Sequence, residues 1–131
     1  MDWSYITTGS TGSEQALEVA RDWLRNCCET HYNCGSLRDQ ALPTRLLDLE
    51  AFGREGVVRL VERPSIHGRY AALSHCWGTT PQFATTKATL TERKEKIHFD
   101  QLTTTFREAV QVTRSLDIRY LWVTCYLWYY P

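Results

Sequence analysis

Two groups of residues in this chain have types and spacings that could do chemistry. The first is the run Ser74-His75-Cys76-Trp77-Gly78, which sets a hydroxyl, an imidazole, a thiol and an indole N–H in four consecutive positions before a glycine that lets the backbone turn sharply. It follows the apolar stretch Tyr70 to Leu73, so it falls at the carboxyl end of an expected strand, where open α/β sheets bind their ligands. The second is Cys27, Cys28, His31 and Cys34. Cys27 and His31 stand four apart, one helical turn, as paired metal ligands often do, with Cys34 as a third ligand and His75 or Cys76 as a fourth. The competing reading of the second group is buried core thiols, because these positions continue an apolar helical stripe and cysteine is among the most buried residue types. The absence of a Cys-x-x-Cys pair favours the core reading over metal.

For the first group, adjacency limits the chemistry. Neighbours in a strand point to opposite faces, so Ser74 and His75 do not form a nucleophile–base dyad while the strand continues, and Cys76 with His75 meets the same objection. Cys76 reads as a small buried side chain and Trp77 as a packing anchor for the loop.

The elements that must position these residues are legible from periodicity. Leu17, Ala20, Leu24, Cys27 and His31 recur at helical steps from an N-cap at Ser13, which predicts a helix to about His31. Pro43 to Leu49 and Val57 to Glu62 read as strands of a hairpin whose loop holds Gly53 and Gly56, and Arg69 to Ser74 as a third strand. Thr79 to Thr89 reads as a loop and Leu90 to Lys96 as a short helix, with Thr91 to Lys96 as its solvated face rather than a nucleic-acid patch. Thr105 to Leu116 is the second strong helix, with a capping box at Thr105 and Glu108 and a buried stripe of Phe106, Ala109, Val110, Thr113 and Leu116. Arg107 and Arg114 fall to its solvated side. Arg119 to Thr124 is an aromatic and β-branched strand. The order strand, helix, strand over 69–124 is that of a βαβ crossover, which makes its two strands parallel and brings the segments after Ser74 and Val123 to one site. Arg45 and Asp48 read as members of cross-strand pairs, and His67 and His98 as solvated.

With 131 residues, 43% hydrophobic and 23% charged, the chain fits one globular domain. Fifteen basic residues balance fifteen acidic ones, which argues against a broad phosphate-binding surface and so against nucleic acid as a partner. No apolar run approaches a membrane span, and residues 1–12 read as a polar lead-in without a signal-peptide core, so the cytoplasm is the expected compartment and the cysteines are expected as thiols.

In this order the motifs resemble the heterokaryon-incompatibility (HET) domain of filamentous fungi. The matching pieces are Tyr70 to Gly78, Thr105 to Arg114 (TFREAVQVTR) and Tyr120 to Val123 (YLWV), preceded by Trp23, Leu24, Cys27, His31, Cys34 and by Leu42 to Asp48. Family members continue after the last strand with an Asp, a small residue and then Leu-Cys-Ile; this chain has Thr124 where the Asp is expected, and the tail Tyr126 to Pro131 (YLWYYP) matches nothing in the family. The resemblance therefore implies a domain truncated after its N-terminal half, divided as a lead-in 1–12, a helix-plus-hairpin region 13–68, a partial HET domain 69–124 and an aberrant tail 125–131, the tail explained by a truncated gene model or an unspliced intron. The implied fold is α/β, a partial parallel sheet with a TIR- or flavodoxin-like βαβ unit preceded by a helix and a small antiparallel hairpin. The implied function is non-self recognition and programmed cell death, with other HET-domain or incompatibility proteins as partners. A second reading is a TIR-like NAD-cleaving or nucleotide-binding enzyme, in which NAD enters by fold analogy alone and the Thr124 position removes the expected carboxylate, so catalysis by this chain is not expected. A third is a truncated regulatory interaction module or a non-functional remnant. The candidate site loop is Ser74, His75, Cys76, Trp77, Gly78 and Thr124.

Overall fold

The computed structural model describes residues 9–34, 40–62, 67–75 and 85–123, together with the backbone of 129–130. Helix α1 (Glu14–Thr30) is followed by a 3₁₀ turn (Tyr32–Cys34), strands β1 (Arg45–Asp48), β2 (Val57–Glu62), β3 (Tyr70–Leu73) and β4 (Thr85–Thr86), helix α2 (Lys87–Glu95), strand β5 (Ile97–His98), a second 3₁₀ turn (Phe99–Gln101), helix α3 (Thr104–Ser115), and strands β6 (Tyr120–Val123) and β7 (Tyr129–Tyr130).

The fold is mixed α/β. Five strands form one sheet in the order β3-β6-β1-β2-β5, and β4 pairs parallel with β7 in a small second sheet. The expected crossover is present: β3 and β6 are parallel, with Tyr70 opposite Tyr120 and Leu73 opposite Val123, and α3 lies between them in sequence. The antiparallel hairpin expected ahead of the βαβ unit is present and joins the same sheet. β1 pairs antiparallel with β6 on one side (Leu47 opposite Leu121) and with β2 on the other, so the hairpin extends the sheet. The sheet is therefore mixed rather than parallel. The helical and strand segments expected from sequence are otherwise found within one to three residues of their ends, while β4, β5 and β7 are additions. β4 and the start of α2 occupy the second half of the Thr79 to Thr89 stretch read as loop, because the Thr86 hydroxyl caps α2 by accepting the Thr89 N–H while the Thr86 N–H donates to the Thr89 hydroxyl.

The core forms where α3 meets the sheet. Alternation on β1 puts Leu47 and Leu49 on the same face, where they join Val58, Leu60, Leu121 and Val123 from neighbouring strands, and Phe106 and Val110 of α3 close over them with Ile97 and Leu102. All ten are at most 4% exposed, and each Leu, Ile, Val or Phe so buried contributes about 1.5–3 kcal/mol. The N-cap of α3 is Thr103, whose hydroxyl accepts the Phe106 N–H, so the capping box expected at Thr105 and Glu108 does not form. The helix begins one residue earlier and its first turn already points Phe106 inward.

Arg114 corrects the sequence reading most. It is 7% exposed rather than solvated. Its Nε and Nη2 donate to the Leu49 carbonyl at 2.9 and 2.6 Å, Nη1 donates to Glu55 O at 2.9 Å, and Nη2 reaches Val57 O at 3.4 Å. The Phe99 ring lies 5.3 Å from the guanidinium carbon. One cation thus satisfies carbonyls on both sides of the β1–β2 loop. Burial lowers its pKa from the ordinary guanidinium value, with Arg54 adding repulsion. Leu116, expected in the buried stripe, is only half-buried. Arg93 on α2 is likewise buried, donating to the Thr85 hydroxyl at 2.7 Å, so Thr91 to Lys96 is not uniformly a solvated face.

The cross-strand pairs expected of Arg45 and Asp48 are present. Arg45 meets Glu62 at 2.9 Å, across the register in which the two residues face each other. Asp48, 2% exposed, takes a bidentate pair of 2.9 Å bonds from Arg119 and also accepts the Glu50 N–H. This bond to Asp48 raises the Arg119 pKa above its ordinary value. Two turns use left-handed backbone: Gly53 (φ 73°) in the β1–β2 loop, and Asp117 (φ 56°) after α3, whose carboxylate holds Arg54 at 2.9 Å.

Helix α1 is set apart. Ser13 caps it as expected, accepting the Ala16 N–H, but none of its residues is buried and Trp23 is 56% exposed. It is attached to α3 by the Arg21 guanidinium, which donates to the Ser115 carbonyl at 3.1 Å.

Two outcomes are expected in urea unfolding. Arg114→Met, which strips the carbonyls of Leu49, Glu55 and Val57 of their donor, lowers stability by about 2–4 kcal/mol, whereas Arg107→Ala, removing a guanidinium that donates to the Thr104 hydroxyl, changes it by less than about 0.5 kcal/mol. Lys94 first and Arg45 second hold the Glu62 carboxyl below its ordinary pKa. Its contribution is complete above the unfolded carboxylate value near ~4.3 and is lost as pH falls through the lowered folded value; Glu62→Gln removes that part of the acid dependence.

Candidate functional site

The parallel register of β3 and β6 sets Leu73 beside Val123, so the two strands deliver their carboxyl ends to the same edge of the sheet. Ser74 and His75 leave β3 there, and both are exposed. Cys76, Trp77, Gly78 and Thr124, the other members of the site expected from sequence, lie outside the described residues. Since β3 is the outermost strand of the sheet order, the edge is open on one side among the described residues.

His75 is fixed by an aromatic contact. Its ring meets Phe106 edge-on, with centroids 5.2 Å apart and planes at 63°. Phe106 is 2% exposed and belongs to the core, so the imidazole rests against the first turn of the crossover helix while its other side faces solvent. No hydrogen bond joins the Ser74 hydroxyl to the His75 ring among the described residues, in keeping with the argument against a Ser–His dyad. What the arrangement offers is an imidazole donor or acceptor and a free hydroxyl held at the strand ends, which suits hydrogen bonding to a bound group. The Asp48–Arg119 pair lies beyond the opposite, amino end of β6 and so braces the sheet away from this edge.

The second group is brought together more closely. The Cys27 thiol donates to Cys34 Sγ at 3.1 Å, and Cys34 Sγ lies 3.6 Å from His31 Nδ1. One ligand atom from each of the three falls within 4.8 Å of the others. This hydrogen bond to Cys34 raises the Cys27 pKa above the ordinary thiol value, with desolvation and repulsion from the Cys34 and Cys28 thiols adding to it. The reading of these residues as buried core thiols is overturned. Cys27 and Cys28 are half-buried, Cys34 and His31 are exposed, and α1 has no buried residue at all, because the helix lies along α3 instead of entering the core. The three described cysteines, Cys27, Cys28 and Cys34, are free thiols. The suggested fourth ligands, His75 and Cys76, differ in status: His75 lies on Phe106 outside this group, and Cys76 is outside the described residues.

Arg114 is the residue that sequence reading missed, and the signal for it was available. Phe106, Val110 and Arg114 are spaced by four, the same stripe that predicts burial for the first two. Charge type outweighed position in assigning it to solvent.

The fold and site define an α/β protein built around a βαβ unit with its candidate site at the carboxyl ends of the parallel pair. Residues 70–126, a little under half of the chain, match the family model described as Heterokaryon incompatibility protein (HET). The match covers the residues that run from β3 through α3 and β6, so that stretch is similar to the HET domain. The resemblance read from Tyr70 to Gly78, Thr105 to Arg114 and Tyr120 to Val123 is borne out there, while α1 and the hairpin lie upstream of the matched residues. No curated protein and no solved structure matches the chain. No helix among the described residues is long and apolar enough to cross a membrane.

His75→Ala is expected to lower stability in urea unfolding by about 0.5–1.5 kcal/mol through loss of the edge-on contact with Phe106, and Ser74→Ala to leave it within about 0.5 kcal/mol.

Proposed function

We propose that this chain acts in heterokaryon incompatibility, as a HET-type recognition domain that triggers programmed cell death when non-self nuclei share a fungal cytoplasm. The single observation that carries the reading is the family match over the βαβ unit. The layout of that unit supports a TIR- or flavodoxin-like relationship: parallel strands joined through a helix, with exposed polar side chains where the strands end. On this reading the Ser74–His75 edge receives a partner or ligand, the partners are other HET-domain or incompatibility proteins, and the protein works in the cytoplasm. Recognition is favoured over catalysis because Ser74 and His75 do not form a nucleophile–base pair and Thr124 stands where the family has a carboxylate.

Inducible expression of the full chain in a filamentous fungus tests the proposal. The expected result is growth arrest and uptake of a vital dye by hyphal cells, co-purification of a HET-domain protein, unchanged cellular NAD, and weaker killing by His75→Ala at equal protein level. Normal growth with no HET-domain protein captured would sink the reading, and killing accompanied by NAD loss would replace it with the enzymatic one.

A further inference from the structure

The cluster at the end of α1 has a chemistry that the candidate site at β3 and β6 does not use. Its donors are two thiols and an imidazole, a set that suits borderline-soft metal ions such as zinc and not calcium or magnesium, which take oxygen ligands. Backbone hydrogen bonds already fix the three positions. Cys27 sits in the last turn of the helix; the His31 N–H donates back to the Cys27 carbonyl at 3.2 Å, and the Cys34 N–H to the His31 carbonyl at 3.1 Å. The 3₁₀ turn Tyr32–Cys34 thereby folds Cys34 back over the residue it must join. His31 presents Nδ1 to the cluster.

The distances are close to what a metal needs. A tetrahedral zinc with Zn–S bonds of about 2.3 Å separates its two sulfurs by roughly 3.8 Å. The present Sγ–Sγ distance of 3.1 Å reaches that by small side-chain rotations without moving the backbone. The electrostatics favour a cation as well. The last turn of α1 contains no basic residue, so the partial negative charge of the helix C-terminus lacks a complement there.

We infer that Cys27, His31 and Cys34 form a zinc-binding site, with water completing a tetrahedron on the exposed side. Binding releases both thiol protons to solvent and forms two Zn–S bonds and one Zn–N bond, with no change of oxidation state. The ion would pin the 3₁₀ turn to the helix and cover its C-terminal carbonyl end. Cys28, next along the helix, lies outside the cluster and has no part in the site.

The test uses the full chain purified with thiols kept reduced, with zinc and cobalt(II) as probes. Metal analysis is expected to find one equivalent of zinc. Cobalt(II) is expected to give thiolate charge-transfer bands with ligand-field bands of tetrahedral intensity. Cys27→Ser and Cys34→Ser weaken binding more than about a hundredfold, and Cys28→Ser leaves it unchanged. X-ray absorption on the wild-type zinc form, which depends on no variant, is expected to show two sulfur neighbours at about 2.3 Å and nitrogen or oxygen neighbours near ~2.0 Å. Absence of bound metal in the reduced protein overturns the inference. So do a shell with oxygen and nitrogen alone, equal loss of binding in Cys28→Ser, or a Cys27–Cys34 disulfide that persists under reducing conditions.

Discussion

The guanidinium of Arg114 is the interaction on which the arrangement of this protein depends. A helix that crosses between two parallel strands must be fixed in depth and rotation over the sheet, and apolar packing alone tolerates some sliding. Arg114 removes that freedom by reaching from the last turn of α3 to carbonyls at both ends of the β1–β2 loop. The carbonyls of Leu49 and Glu55 lie in the loop and that of Val57 at the start of β2, and buried carbonyls without a donor cost about 1–3 kcal/mol each. The cation and the loop therefore solve each other's desolvation. With α3 locked in this way, Phe106 and Val110 meet Leu47, Leu60 and Val123 in one register, and Phe106 in turn becomes the surface on which His75 rests.

A second constraint acts one residue away, at the same end of β1. Asp48 is a carboxylate almost completely removed from water at the end of β1, and Arg119 supplies two bonds to it from the residue before β6. The two strands cannot shift by one residue without breaking the bidentate Asp48–Arg119 contact and leaving Asp48 only the longer 3.9 Å approach of Arg59, so the ion pair favours one register between the hairpin and the crossover unit. It is half-open on the Arg119 side, which limits its net contribution to stability and leaves alignment as its main effect. The polar bracing thus lies at the amino end of β6 and under the loop of the hairpin, while the carboxyl edge carries exposed side chains free to engage something else.

How much of this could be read from residues alone varies with the kind of information involved. The βαβ unit was legible because periodicities of two and of about 3.6 follow each other between Tyr70 and Val123, and the crossover rule then makes the strands parallel. The place of the hairpin was not legible. Whether β1 pairs with β6 depends on long-range alignment of Leu47 with Leu121 and on the Asp48–Arg119 bond, neither of which leaves a local pattern. The short strands β4, β5 and β7, two residues each, are below the length at which alternation can be recognised. For the site, the position of Ser74 and His75 at a strand end was foreseen, but the stacking of His75 on Phe106 was not, since it depends on the packing depth of α3. The cysteines failed in the opposite sense. An amphipathic stripe predicts which face of α1 turns inward and says nothing about how far in the helix goes.

That shallow seating gives α1 a different thermodynamic character from the rest of the molecule. A segment of seventeen residues is near the length at which an isolated helix is marginal in water, and with no fully buried residue it leans on the Ser13 cap and the Arg21–Glu14 ion pair beside its half-buried apolar face and the bond from Arg21 to Ser115. Such a segment follows helix–coil behaviour, melting broadly with temperature, while the sheet and α3 unfold as one cooperative unit. Backbone amides of α1 are then expected to exchange with solvent through local opening, ahead of those in the sheet.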